Sequence, residues 1–385
     1  MKTSAFQFLS ALSLLGVLAA PVFAAKNADS TIISFDAPGA DTTPNDFNGT
    51  IVAAINIEGV IAGYYIDPTN VLHAFLRSPA GKFTTFEAPG ADTTPQSFNG
   101  TVASAVNDLG EVTGYYFDAT GTQHGYVRSA TGKFTSFDVP GSAGLSNPVA
   151  INLEGSVVGY YIDANSQFHA FLRKSNGSFV SFDGPGGCDS GTSAGCFGTA
   201  AFNINIFGTV AAAFADNSGN FVNVGLIRSP TGKLTTYQVP VAGTGPSQGT
   251  GCPGCALGLN ASGAIAGIYT DMNNVFHGFL RSPEGEFTLF DAPNAGTGEF
   301  QGTGCSSDCE VSLNDFGEIT GNYIDANSNF HGFFRSPNGK FQSIDPPKTI
   351  GTFPAALNEL GIVAGYYLDT NNVLHGFLRI PSRAP

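Results

Sequence analysis

The sequence predicts an all-β protein: a seven-bladed β-propeller of four-stranded antiparallel blades, its ring closed by the N-terminal strand. Three observations carry this expectation. A set of phrases returns seven times, the spacing between copies matches the length of a propeller blade, and the chain opens on a spare fourth strand and ends one strand short.

Three markers recur. The first is Asn-x-x-Gly, opening at Asn56, Asn107, Asn152, Asn205, Asn260, Asn314 and Asn358. The second is an aspartate closing a Tyr-rich segment: Asp67, Asp118, Asp163, Asp216, Asp271, Asp325 and Asp369. The third is a phrase of the form His-Gly/Ala-Phe-Leu-Arg, whose arginine falls at 77, 128, 173, 228, 281, 335 and 379. Successive arginines lie 44 to 55 residues apart. The repeats of a β-helix, the main rival, are usually about half this length or less.

Within the first unit the elements follow in order. "TIVAAIN" is a strand, turned at "IEG"; "VIAGYYI" is the second, turned at "DPTN"; "LHAFLR" is the third, turned at "SPAG"; "KFTTFEAP" is the fourth. Each is short, rich in β-branched or aromatic residues, and bounded by Gly, Pro, Asn or Asp. No helical periodicity exists beyond the N-terminal segment. A lone fourth strand, "TIISFDAP" at 31–38, opens the fold, and a third strand, "HGFLR" at 375–379, ends it. Joining the two removes an open edge. Residues 25–385 therefore read as one domain, with units near 31–82, 83–133, 134–178, 179–233, 234–286, 287–340 and 341–385.

Residues 1–24 read as a secretory signal peptide. Lys2 precedes an apolar run from Phe6 to Ala20, and Val22 and Ala24 supply the small residues of a cleavage site. The run is too short to prefer spanning a membrane. The expected location is outside the cytoplasm: extracellular, cell-surface or periplasmic. The formal charge of −14 argues against a nucleic-acid partner and against anionic lipid. Fifty glycines and 33 phenylalanines describe many turns around short apolar strands.

The phrase His73-Ala74-Phe75 returns as His169-Ala170-Phe171, and with glycine at His277-Gly278-Phe279, His331-Gly332-Phe333 and His375-Gly376-Phe377. In these phrases the chain resembles the extracellular HAF repeats, over essentially all of its length after the leader. The resemblance implies bacterial export and a propeller-like array, and offers no catalytic residues to carry over. Unit four departs from it, with Val224 in the histidine position.

In an up-and-down blade the Asn-x-x-Gly and "RSPAGK" turns share one end and read as connectors. The opposite end carries the "DPTN" hairpins and the blade-to-blade loops, which vary, and variation on a rigid scaffold is where binding usually resides. The irregular acids there, Asp41, Asp92, Asp189, Glu299, Asp308 and Glu310, are the candidate ligand-face residues. Six cysteines in an exported chain suggest disulfides, one per loop: Cys188 with Cys196, Cys252 with Cys255, Cys305 with Cys309, bridges between neighbouring loops being the alternative. A redox role for "CPGC" would need a helix that does not follow, and export favours disulfides over a zinc site from the last four.

The six histidines, His73, His124, His169, His277, His331 and His375, occupy one repeat position and read as packed residues hydrogen-bonded to a carboxylate. The seven hairpin aspartates read as Asx turns, since each copy lacks the further carboxylates of a calcium loop. A second acidic position ends the fourth strand, at Asp36, Glu87, Asp138, Asp183, Asp291 and Asp345, with Gln238 as the exception. No nucleophile elbow, zinc-protease helix or phosphate-binding loop is present. No catalytic residue, metal or cofactor is expected. Two functions remain: a non-enzymatic scaffold, expected to be monomeric, binding an extracellular glycan, peptide or envelope component, or a lyase or hydrolase using a metal and the loop-face acids on a polysaccharide or cyclic peptide. A purely structural role is the third possibility.

Overall fold

The computed structural model describes residues 30–187, 198–251, 255–305 and 309–382. The signal-peptide reading of 1–24, and the readings of Cys188, Cys196, Asp189, Cys252 and Asp308, fall outside these residues. Every regular element described is a β-strand.

In the first group, strands Thr50–Ile55, Ile61–Ile66, Leu72–Arg77 and Phe83–Phe86 pair antiparallel in chain order. Among the described residues the same succession restarts at Thr101–Val106, Leu145–Ile151, Thr199–Ile204, Gly249–Thr250, Gly302–Thr303 and Thr349–Leu357. The last succession holds only three consecutive strands. Its third, Leu374–Pro381, pairs antiparallel with Ser30–Phe35, Ser30 opposite Pro381 and Phe35 opposite Gly376. The N-terminal strand is thereby the fourth of that group.

Apolar residues on both faces of the sheets build the core between one group and the next. Ala62 and Ala74 of the first group pack with Ala103, Val112 and Tyr126 of the second. The alanines are fully buried and let the sheets approach closely. The repeat arginines add a second link. Arg128 stacks on Phe86 of the preceding group at 4.6 Å, Arg335 on Phe290 at 4.9 Å, and Arg77 on Phe35 of the N-terminal strand at 4.5 Å. A guanidinium over an aromatic face is attracted by the ring quadrupole and holds even where water is excluded.

The Asn-x-x-Gly turns tie the groups at one end. In each, the asparagine Oδ1 caps its own turn, as Asn56 does by accepting from the Val60 N–H at 2.9 Å. Its Nδ2 donates to the backbone carbonyl of the next repeat asparagine: Asn56 to Asn107, Asn107 to Asn152, Asn152 to Asn205, Asn205 to Asn260, Asn260 to Asn314 and Asn314 to Asn358, at 3.0 to 3.4 Å. Asn358 donates back to the Asn56 carbonyl at 3.0 Å, across 302 positions of chain.

One expectation is corrected. The sequence reading put all the cysteines in the loops between units. Cys255, Cys305 and Cys309 instead lie in the core, 1% to 6% exposed, with Ile268, Ile319 and Phe333. They interrupt the first strand of their groups, which splits into Gly249–Thr250 and Gly258–Leu259, and into Gly302–Thr303 and Ser312–Leu313. The cause is an insertion: Thr250 and Asn260 are ten positions apart and Thr303 and Asn314 eleven, against six for Thr50 and Asn56. Cys305 and Cys309 form a disulfide across one insertion, and Cys255 is also disulfide-bonded. The two insertions touch, the Ala256 N–H donating to the Cys309 carbonyl at 2.9 Å. Among the described residues no helix is long and apolar enough to cross a membrane.

Candidate functional site

At the end of each group opposite the asparagine turns, strand pairing assembles three markers that are separate in sequence. His73 lies opposite Tyr65 and Ala74 opposite Phe86, which puts Glu87 beside the imidazole. In six groups the histidine Nδ1 lies 2.5 to 3.0 Å from the strand-end carboxylate, namely Glu87, Asp138, Asp183, Asp291, Asp345 or Asp36. The Nε2 lies 3.3 to 3.7 Å from the hairpin aspartate: Asp67, Asp118, Asp163, Asp271, Asp325 or Asp369. A tyrosine ring lies over each imidazole at 5.0 to 5.1 Å.

Electrostatics follow from this sandwich. The hydrogen bond to Glu87 raises the pKa of His73, and those to Asp291, Asp345 and Asp36 do the same for His277, His331 and His375. At His124 burial pulls the other way, but the bonds to Asp138 and Asp118 win and the pKa rises. Burial opposes ionisation of Asp118, yet hydrogen bonds from Thr120, Thr122 and His124 hold it down at about 2. Burial, reinforced by Asp345 and Asp325, pushes the Tyr323 hydroxyl up to about 12. Each imidazole thus has a carboxylate at both ring nitrogens and a tyrosine ring over its face, so its polar edges are turned to the protein.

The loops entering the first strands form the outer part of this face. Three of them latch alike onto the hairpin of the preceding group: Phe47 N–H donates to the Asn372 carbonyl at 3.1 Å, Phe98 to Asn70 at 3.0 Å and Phe300 to Asn274 at 2.8 Å. The latch needs glycine next to it. Gly100 has φ +126°, and a Cβ there would overlap the Leu72 carbonyl oxygen. Phe47, Phe98 and Phe300 themselves hold positive φ, at 56°, 54° and 59°. That is costly for a bulky residue and is kept only where the surroundings impose it. All three rings are exposed, by 43%, 38% and 56%.

Amides and carboxylates surround these rings. Asn48 Nδ2 donates to Asn70 Oδ1 at 2.8 Å, and Asn70 Nδ2 to Gln96 Oε1 at 2.9 Å. Elsewhere Gln248 Nε2 donates to Asn274 Oδ1 at 2.8 Å, and Asn274 Nδ2 to Glu299 Oε1 at 2.9 Å. Of the candidate acids, Asp41 is buried and accepts from the Thr43 N–H and hydroxyl and from Asn48 Nδ2. Burial would raise its pKa, but these bonds lower it. Asp92 makes the equivalent bonds to Thr94 and Asn99, which lower its pKa. Glu299 and Glu310 are exposed. Among the described residues no group of three or more His, Cys, Asp or Glu side chains is arranged to hold a metal ion.

Two sets of residues escaped the sequence reading. The buried hydroxyls Thr50, Thr101, Thr199, Thr250 and Thr303 accept the N–H that follows the preceding fourth strand, at 2.8 to 3.0 Å. Their signal was the Gly-Thr pair that recurs where these first strands begin, replaced by Leu145-Ser146 in unit three. The exposed phenylalanines were the second set, legible as Phe-Asn/Gln-Gly-Thr at 47–50, 98–101 and 300–303.

No family model matches the chain, and no curated protein matches it. Solved structures do. The chain is similar to a streptogramin B lyase, at 16% identity over 91% of this chain and 97% of that one, with a TM-score of 0.54. It is similar to the BP39L lectin from Burkholderia pseudomallei, at 12% identity over 86% and 95%, TM-score 0.53. A third similarity is to the β-propeller domain of the Trilobed protease from Pyrococcus furiosus, at 8% identity over 87% and 99%, TM-score 0.51. Such distant likeness speaks to fold and not to function. The chain has a β-propeller fold.

Proposed function

We propose that this chain is an exported, single-domain, seven-bladed propeller, closed by strand Ser30–Phe35, whose loop face is a non-enzymatic scaffold binding a glycan, peptide or cell-envelope component. In this reading the repeats are of the extracellular HAF type and the six His–carboxylate sandwiches are structural. The pairing of Ser30–Phe35 with Leu374–Pro381 and the return of the asparagine hydrogen bonds to Asn56 support ring closure.

The observation that carries the binding role is the repeated exposure of Phe47, Phe98 and Phe300, on constrained backbone and beside hydrogen-bonding amides. A rigid aromatic face next to fixed donors and acceptors suits ligands with one apolar and one hydroxylated or amide-bearing side. The enzymatic reading has less support, because Asp41 and Asp92 are spent on their own loops.

The test is a thermal-shift screen of the disulfide-intact protein against glycans and envelope extracts, with the Phe47→Ala/Phe98→Ala/Phe300→Ala variant alongside. A ligand of the folded state raises Tm by mass action. The expected result is a shift with one ligand class, lost in the variant. Silence across the panel, or a shift the variant retains, would overturn the proposal.

A further inference from the structure

The asparagine-turn end is not a plain set of connectors. The two residues after each repeat asparagine form the turn tips, fourteen positions in all. Leu109, Phe207, Phe316 and Leu360 are 60% to 67% exposed there, and Ile57, Leu153 and Ile206 42% to 47%. These are seven of the fifteen exposed large apolar residues found among the described residues. The asparagine hydrogen bonds hold consecutive turns against one another, so the tips form one continuous surface rather than scattered side chains. Contiguous apolar patches of this kind mark interaction sites.

The polar tips are of one sign. Glu58, Asp108, Glu154, Asp315 and Glu359 are interspersed with the apolar residues, and Ala261 and Ser262 complete the fourteen, with no lysine or arginine. Carboxylates bridge turns: Asp108 accepts from the Ile57 N–H at 2.9 Å, and Asp315 from the Ala261 N–H at 2.7 Å. Burial pushes the Glu359 carboxyl up, and the charges of Asp315, Glu318 and Asp108 push it the same way. The lysines of this end, such as Lys82 and Lys133, stand on the turns between third and fourth strands, where Lys133 lines one pocket with Glu111 and Glu154 and is outnumbered by them.

We propose that this apolar and acidic ring of turn tips is a docking surface for a cationic protein segment bearing apolar side chains. Apolar tips supply contact area, and the carboxylates select the sign of the partner. A second copy of this chain would bring two acidic rings together, and an anionic membrane would be repelled in the same way.

The probe is a fluorescein-labelled helical peptide of leucine and lysine, titrated by anisotropy into the mature protein, with a leucine–glutamate peptide as control. The lysine peptide is expected to bind, with affinity falling at least tenfold in 0.5 M salt and at least tenfold in Phe207→Ser/Phe316→Ser. Leu109→Ser/Leu360→Ser serves if the first variant does not fold, and Met272→Ser, on an exposed hairpin of the opposite face, should leave binding unchanged. Absence of binding, equal binding of the glutamate peptide, or unchanged affinity in both tip variants would overturn the proposal. So would self-association of the wild type, or binding to anionic vesicles, that the tip variants abolish.

Discussion

Replacing His331 with valine imposes on the sixth unit what unit four already carries. His331 lies 3.0 Å from Asp345 and 3.4 Å from Asp325, with its side chain 24% exposed and that of Asp345 22%. A hydrogen bond to a charged group contributes about 1.5–3 kcal/mol, so at pH 5.5 the variant should lose about 2 kcal/mol. At about 2.1 cal/mol/K per residue over roughly 350 residues, that lowers Tm by about 3 °C. The loss depends on pH. Its bond to Asp345 raises the folded pKa of His331, so the ion-pair contribution is complete below the unfolded value of about 6.5 and fades as pH climbs through the folded one. Asp345 is resisted by burial but lowered on balance by His331 and Ser343, so its contribution is present above about pH 4 and lost on acidification. The gap between wild type and variant should therefore be widest at pH 4.5–6.5. At higher pH it should narrow as the imidazolium loses its proton, leaving the hydrogen bond of a neutral imidazole N–H to the Asp345 carboxylate. Urea denaturation at pH 5.5 and 8.5 measures both gaps. A gap that is equal at the two pH values, or larger at 8.5, would refute the ion-pair reasoning.

Three further outcomes are expected. Gly100→Ala should cost about 2 kcal/mol or more, because φ +126° and the Leu72 carbonyl both exclude a side chain; wild-type Tm in the variant would contradict the close approach. Asn358→Ala removes the hydrogen bond to the Asn56 carbonyl and the turn cap at Ile362, and should cost about 1–3 kcal/mol by calorimetry; a neutral result would mean that water replaces both. Cys305→Ala/Cys309→Ala should lower stability by about 2 kcal/mol from loop closure alone, read by urea denaturation; an unchanged midpoint would show the insertion to be held by packing instead.

Strand order and unit length were legible because a blade must return the chain to the same place, so its phrases keep fixed spacing. The His sandwiches were half legible. His73, Asp67 and Glu87 each stood out, but separations of six and fourteen residues acquire meaning only when the strands pair. His375 and Asp36, 339 positions apart, meet only through the N-terminal strand. The buried cysteines were misplaced because an insertion within a strand and a long loop before it look alike in sequence. The apolar tips were overlooked because a short turn of constant length reads as a connector, and length says nothing of what its two tip residues expose.

Unit four separates the tasks within each sandwich. Three departures that look unrelated in sequence are one change in space: Phe214 takes the tyrosine position opposite Val224 in the histidine position, and Gln238, one residue past Tyr237 in the strand paired with it, takes that of the acid. Losing the imidazole alone would leave a partly desolvated carboxylate short of a partner, so the acid becomes an amide and the ring above turns apolar. Asp216 survives. Its Oδ1 accepts from the Ser218 and Val222 N–H groups, as Asp67 Oδ1 does from Thr69 and Val71, whereas only Oδ2 of Asp67 faces a histidine ring nitrogen. The hairpin aspartate thus holds the turn's backbone amides with Oδ1, while Oδ2 takes a turn side chain as well as the histidine, and only the histidine contact lapses when the histidine goes.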